Sequence, residues 1–170
     1  MSLALIRRTI LFYLPSGEYG FFSNFSLHAI TVDGKLWPTS EHYYQAMKSP
    51  TPEIQEMIRK LRTPGKSKQM GNSIIMRSDW DRPSNPDQGS RDEWGLAVEN
   101  VKDHVMMVAL RAKFTQHERL KQALLATGDA IIVENTQSVG SDPYWGNGPS
   151  GTGLNKLGRQ LMYVRAQLAA

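Results

Sequence analysis

Apolar residues recur along this chain with two different periods, and together they predict an α+β fold, mostly helical with a few short strands. Ile10 to Tyr13 is β-branched and aromatic, as a short strand would be. A turn follows at Pro15-Ser16-Gly17. Ala29 to Lys35 then reads as a second strand running into a Val32-Asp33-Gly34-Lys35 turn, because Asp-Gly is a strong turn dipeptide. Ala130 to Glu134, with Ile131, Ile132 and Val133 in a row, is the best strand of the chain.

The helical period dominates elsewhere. Pro38-Thr39-Ser40 supplies hydroxyl caps just before Glu41. Thr51-Pro52-Glu53 is a fuller start signal, with a threonine cap, a proline in the first turn and an acid behind it. Ile54, Met57, Ile58 and Leu61 give that helix one apolar face. Thr63-Pro64 opens a shorter helix that Gly71-Asn72 closes. A long helix is predicted from Glu93 to Thr115 on the spacing of Trp94, Ala97, Val98, Val101, Val105, Val108, Ala109 and Ala112. Glu118 to Ala126 forms another, stopped by Thr127-Gly128. Leu154, Leu157, Leu161, Val164 and Leu168 mark the last. Two stretches lack either period. Residues 77–93 are polar and carry Pro83, Pro86 and Gly89, so they read as an inserted surface loop; Gln137 to Gly153 is a long glycine-rich loop.

Composition narrows the class. A chain of 170 residues fits one domain, taken here as residues 1–170, and can bury a core without a staple. It has no cysteine, which excludes thiolate zinc sites, disulfide frameworks and cysteine nucleophiles. Arg7 and Arg8 interrupt the apolar start, and no stretch approaches a membrane span, so the expected location is the cytosol, away from membranes. The net charge of +4 suits phosphorylated or nucleic-acid-linked ligands, and equally an uncommitted basic surface. The basic residues are scattered, so a nucleic-acid partner is not favoured.

Several apparent motifs fail on context. Gly146-Asn147-Gly148-Pro149-Ser150-Gly151 matches the dinucleotide fingerprint letter by letter, but no strand directly precedes it and Pro149 lies inside it. Gly65-Lys66-Ser67 lacks the upstream glycine of a phosphate loop, because position 60 is lysine. His28, His42, His104 and His117 show no metal-ligand spacing. No metal and no cofactor is expected.

Three constellations carry candidate chemistry. In Trp37-Pro38-Thr39-Ser40-Glu41-His42-Tyr43-Tyr44-Gln45-Ala46-Met47-Lys48, helical spacing puts Glu41, Gln45 and Lys48 on one face. That face is either a solvated stripe with an intrahelical ion pair or a carboxylate tuned by Trp37, Tyr43 and Tyr44 for acid–base work. Tyr19-Gly20-Phe21-Phe22-Ser23-Asn24-Phe25 is an aromatic cluster of the kind that builds cores or stacks a nucleobase, with Ser23 or Asn24 at its edge. Glu134 and Asp142-Pro143-Tyr144-Trp145-Gly146 flank the long loop with two acids and an aromatic tip, suited to ribose hydroxyls and a ring.

These blocks, with Met70-Gly71, Lys113-Phe114, Leu125-Ala126-Thr127-Gly128-Asp129 and Gly153-Leu154-Asn155-Lys156-Leu157-Gly158, resemble in order and content the YbiA-like N-glycosidase family, also called NADAR. The resemblance implies an α+β domain that hydrolyses the bond between a ribose phosphate and a nitrogen of a base or amine. Implied substrates include early riboflavin-pathway intermediates and, for some members, ADP-ribose on guanine. A non-catalytic module that binds NAD or ADP-ribose is the reading from another class. Carried over, Glu41 is the catalytic carboxylate and Lys48 its companion, either as a Schiff-base amine or as a partner for phosphate or Glu41. Tyr19, Phe22, Asn24, Trp37, Trp94, Glu134, Asp142, Trp145 and Asn155 are the expected substrate-binding residues. The family's helix tryptophan falls at Val98 here, with Trp94 one turn upstream and Trp80 before the inserted loop.

Overall fold

The computed structural model describes residues 7–81, 100–137 and 142–170, which form six α-helices and four short strands. The fold class is α+β, as expected. The chain divides into two compact units, one built from residues up to Ser26 with His117–Ala170, the other from Leu27–Gln116. Trp94, most of the 77–93 loop and the first turns of the long helix predicted from Glu93 lie outside the described residues.

The discontinuous unit is organised by two parallel strands, β1 (Thr9–Phe12) and β4 (Ile131–Glu134), with Ile10 opposite Ile132 and Phe12 opposite Glu134. Alternation along β1 sends Ile10 and Phe12 inward and leaves Thr9 and Leu11 exposed. α6 (Lys156–Ala169) packs on β4, and α5 (Glu118–Leu125) packs on α6. Leu157, Leu161 and Val164 supply the buried stripe of α6; Leu154 precedes the helix and is exposed. Ahead of them, Gly20–Phe22 forms one 3-10 turn that drops Phe22 into this core.

The continuous unit opens with a hairpin. β2 (Ile30–Val32) and β3 (Lys35–Trp37) pair antiparallel through Asp33 and Gly34, both at positive φ (50° and 71°). Two left-handed residues in a row match the twist of the flanking strands, and glycine takes the second position without strain. The turn was legible in the sequence; the return strand β3 was not. On the outer edge of β2, the Gln116 amide donates to Thr31 O and accepts from Thr31 N, both at 2.8 Å, and so continues the ladder.

α1 (Ser40–Ala46) lies at the centre of this unit, against α2 (Pro52–Arg59), α3 (Pro64–Gly71) and α4 (Val101–Gln116). The expected caps are at their positions. Thr39 Oγ1 accepts from His42 N and Thr63 Oγ1 from Lys66 N, while Thr51 fills its cap position without a side-chain bond. Two expectations need correction. On α2, Ile58 is buried but Met57 is 57% exposed, so the apolar face is narrower than its spacing suggested. On α1, every residue is buried, so its polar face is not a solvated stripe. α2, α3, α4 and β3 all pack against this seven-residue helix.

Candidate active site

α1 begins where β3 ends, and local chemistry fixes its start. Thr39 Oγ1 lies 2.8 Å from His42 Nδ1, and His42 Nε2 lies 3.1 Å from Leu61 O. A carbonyl only accepts, so Nε2 carries the proton and Nδ1 accepts from the threonine hydroxyl. Burial lowers the His42 pKa, opposed in part by the Leu61 bond, and the ring stays neutral. His42 is thus a structural tie between α1 and the segment after α2. Its neighbour Glu41 is thereby turned to a different face of the helix.

Glu41 is 6% exposed, and its Oε1 accepts from Gln45 Nε2 at 2.7 Å, one helical turn on. Lys48 lies just past the helix, since α1 stops at Ala46 and the chain turns through Met47; Pro50 disfavours helical backbone at Ser49. The three side chains still share a region, as their spacing predicted. The Lys48 ammonium donates to Asn72 Oδ1 at 3.0 Å and lies 5.7 Å from the centre of the Tyr44 ring. Burial lowers its pKa; the charge of Glu41 counteracts this, Lys68 adds to the lowering and Asp81 opposes it. A buried carboxylate and a buried amine therefore lie within electrostatic reach of each other, each steered by a carboxamide.

Two aromatic pairs involve α1 in the same unit. Trp37 is buried and meets Tyr43 edge-on at 5.3 Å, and Trp80 meets Tyr44 at 5.2 Å. Burial, with Asp33 nearby, pushes the Tyr43 hydroxyl up to about 12, so it stays protonated. The buried Trp37 Nε1 and Ser40 Oγ find no hydrogen-bond partner among the described residues. Among those residues, no group of three or more histidines, cysteines or acids could hold a metal ion, and no helix is long and apolar enough to cross a membrane.

The expected substrate-binding residues of the other unit behave differently. Phe22 is fully buried against Phe12 (5.4 Å, edge-on) and Phe21 (4.4 Å); it belongs to the core of its unit rather than to a pocket wall, because its 3-10 turn points the ring inward. Tyr19 stacks parallel to it at 5.9 Å, and its hydroxyl accepts from Arg8 at 2.7 Å. A cavity of about 360 Å³ lies beside Tyr19, between β1 and the turn at 17–20. Asn24 is buried in the same unit.

Asp142 Oδ1 accepts from Tyr144 N (3.0 Å) and Trp145 N (2.9 Å), which closes the turn that carries both rings. Trp145 is half-buried and edge-on to Tyr144 at 5.2 Å. Asn155, at a left-handed φ of 50°, bonds backbone at both ends of its amide: Nδ2 donates to Ile132 O (2.8 Å) and Oδ1 accepts from Glu134 N (3.0 Å). It acts as an extra peptide unit along β4. Glu134 is half-buried at the end of that strand.

Residues 11–169 match the NADAR domain. This chain belongs to the NADAR family. Among its relatives is the N-glycosidase YbiA of Escherichia coli K12, 46% identical over 162 residues that cover 94% of this chain and 88% of that protein. The Nostoc punctiforme N-glycosidase Npun_R5314 is 36% identical, over 94% of this chain and 92% of that protein. A Vibrio vulnificus riboflavin biosynthesis protein, VVA0006, is 34% identical over 96% of this chain and 40% of that longer protein. The NMR structure of E. coli YbiA superposes with a TM-score of 0.77 at 44% identity, covering 96% of this chain and 86% of that one. The NADAR match runs through both units.

The sequence reading left out the supporting residues of the site. The spacing puts Gln45 on the face of Glu41 without giving it a role, and Gly71-Asn72 reads only as a helix stop. Their signal lay in the Met70-Gly71 block, which resembles the family although its function is not apparent from the chain alone.

Proposed function

We infer that this chain is an N-glycosidase, and we propose as its substrate a phosphoribosyl-type N-glycoside of the kind found early in riboflavin synthesis. The observation that carries the reading is the buried Glu41 carboxylate, held by Gln45 beside the Lys48 amine, in a NADAR chain with N-glycosidase relatives. The riboflavin names of the Vibrio and Zea mays relatives support the substrate class. The reading treats residues 1–170 as one NADAR domain.

The chemistry follows from the groups present. As the C1′–N bond breaks, its electron pair goes to nitrogen and positive charge builds on the sugar ring. A fixed carboxylate at Glu41 stabilises that charge without reorganising. Water adds its oxygen to C1′; one water proton is taken up by the carboxylate and passed on, and the leaving nitrogen gains a proton. Lys48, steered by Asn72, is an electrostatic partner for the substrate phosphate and for Glu41. Trp37 walls the site on the ring side.

The test is base release from phosphoribosylamino-pyrimidines, NAD, ADP-ribose and guanine-ADP-ribosylated DNA, resolved by chromatography for wild type and Glu41→Gln. Release from the phosphoribosyl compound, lost in the variant, is the expected result. Release from the modified DNA alone would replace the substrate assignment, and equal release by the variant would remove Glu41 from the chemistry.

A further inference from the structure

α1 and α3 meet through a contact that packing alone does not explain. Gln45 is 3% exposed and lies against Gly71 of α3. A residue chosen only to fill that space would be apolar, and methionine has the same reach. Gln45 brings instead an amide whose buried Oε1 finds no donor among the described residues, which lowers stability. The other end of that amide donates to Glu41. An ionised carboxylate only accepts, so the N–H must face Glu41 and Oε1 must point away. Away from Glu41 is Gly71. A Cβ there would lie 2.1 Å from Gln45 Oε1 and 2.9 Å from its Cβ and Cδ, distances no side chain can occupy.

We propose that Gln45 is a positioning residue for the reaction, fixing the Glu41 carboxylate in one orientation, and that position 71 is glycine in order to admit the Gln45 amide. The inference rests on the reading of Glu41 as the catalytic carboxylate and deepens it. It assigns a reason to a buried acceptor that would otherwise be a pure loss: the same amide group cannot offer Glu41 its N–H without carrying its oxygen into the helix interface. It also gives Gly71 a function beyond ending α3. Asn72, the next residue, holds Lys48, so the end of α3 supports both charged groups of the site.

The experiment compares Gln45→Met, Gln45→Ala, Gly71→Ala, the double variant Gly71→Ala/Gln45→Ala and Glu41→Gln, by steady-state base release and thermal unfolding. Gln45→Met keeps the volume and removes the N–H. Its kcat should fall about 10- to 100-fold, the effect of one hydrogen bond to a charged group, with KM near wild type. Its unfolding temperature should change little, because the lost bond to Glu41 and the removal of the unsatisfied Gln45 acceptor offset each other; a packing role would lower it well beyond that. Gly71→Ala should lower kcat in the same direction, and the double variant should be no worse than Gln45→Ala, since truncation leaves room for the new methyl. Unchanged kcat in Gln45→Met beside an inactive Glu41→Gln overturns this inference and leaves the reading of Glu41 standing. A fall in kcat that comes only with a lowered unfolding temperature and a raised KM assigns Gln45 to packing and also overturns it. A fully active Glu41→Gln overturns both.

Discussion

In the segment Ser40–Lys48 the polar groups that matter are held by other side chains, whereas in Asp142–Asn155 they are held by backbone. Glu41 takes an N–H from Gln45, and Lys48 gives one to Asn72. Asp142 takes two peptide N–H groups, and Asn155 ties its amide to Ile132 and Glu134 of β4. Both segments are rich in the same residue types, and both read as ligand-binding from sequence. Asp142 commits one carboxylate oxygen to the backbone of its own turn. Glu41 is bonded instead by the carboxamide of a neighbouring side chain on its own helix. The partner of a polar group, more than its identity, separates the two kinds of site.

This contrast can be broken or sharpened. The largest expected effect is on Glu41→Gln, which should lose turnover by about a thousandfold or more while retaining substrate affinity, as measured by single-turnover base release and equilibrium binding. Lys48→Met should follow with a loss of about 10- to 100-fold in kcat/KM, which removes one charge-assisted contact; a near-neutral result would return Lys48 to the packing of α1. On the other side, Asn155→Ala should act on stability, by roughly 1–3 kcal/mol in chemical denaturation, because two β4 backbone groups lose their partner. Asp142→Ala should cost about 1–2 kcal/mol for the same reason, as loss of a cap does. If either loop variant instead kept full stability and lost turnover, the division between the two segments would be wrong.

A further expected effect is a pH slope. Lys113 on α4 is fully buried, and burial pushes its pKa down to about 7 from 10.5. Between those values the unfolded chain binds the proton that the folded chain has released, so stability from this group should rise as pH increases from about 7 toward 10.5. Lys113→Met should flatten that slope in urea unfolding measured across this range.

Much of this was legible in the chain. Threonine–proline pairs at Thr51-Pro52 and Thr63-Pro64 marked two helix starts, and Asp33-Gly34 marked the hairpin turn. β3 escaped because Lys35-Leu36-Trp37 is three residues long and exposes its Leu36, so no alternation could announce it. The burial of α1 escaped for a related reason. Its polar composition argues for water, and only the presence of α2, α3 and α4 around it reverses that. Glu41 and Lys48 share a region because their spacing survives even though the helix stops before Lys48. Sequence does not reveal that the Phe22 ring faces inward, that Asp142 bonds its own turn or that the Asn155 amide bonds β4. The decisive contacts, Phe12 on Phe22 and β4 on Asn155, join residues that are distant in the chain or separated by the loop.

The interrupted unit has a consequence for the order of assembly. β1 is made before Leu27–Gln116, yet its parallel partner β4 is made only after all of that stretch. Closing that pair requires joining strands across a long intervening stretch, a slow kind of event. The intervening stretch is itself continuous and has its own core, so Glu41, Gln45 and Gly71 are all synthesised, with α1, α2, α3 and α4, before the nascent chain contains β4. The helices of the candidate catalytic centre are in this sense complete in each newborn molecule before the β1–β4 pair can form.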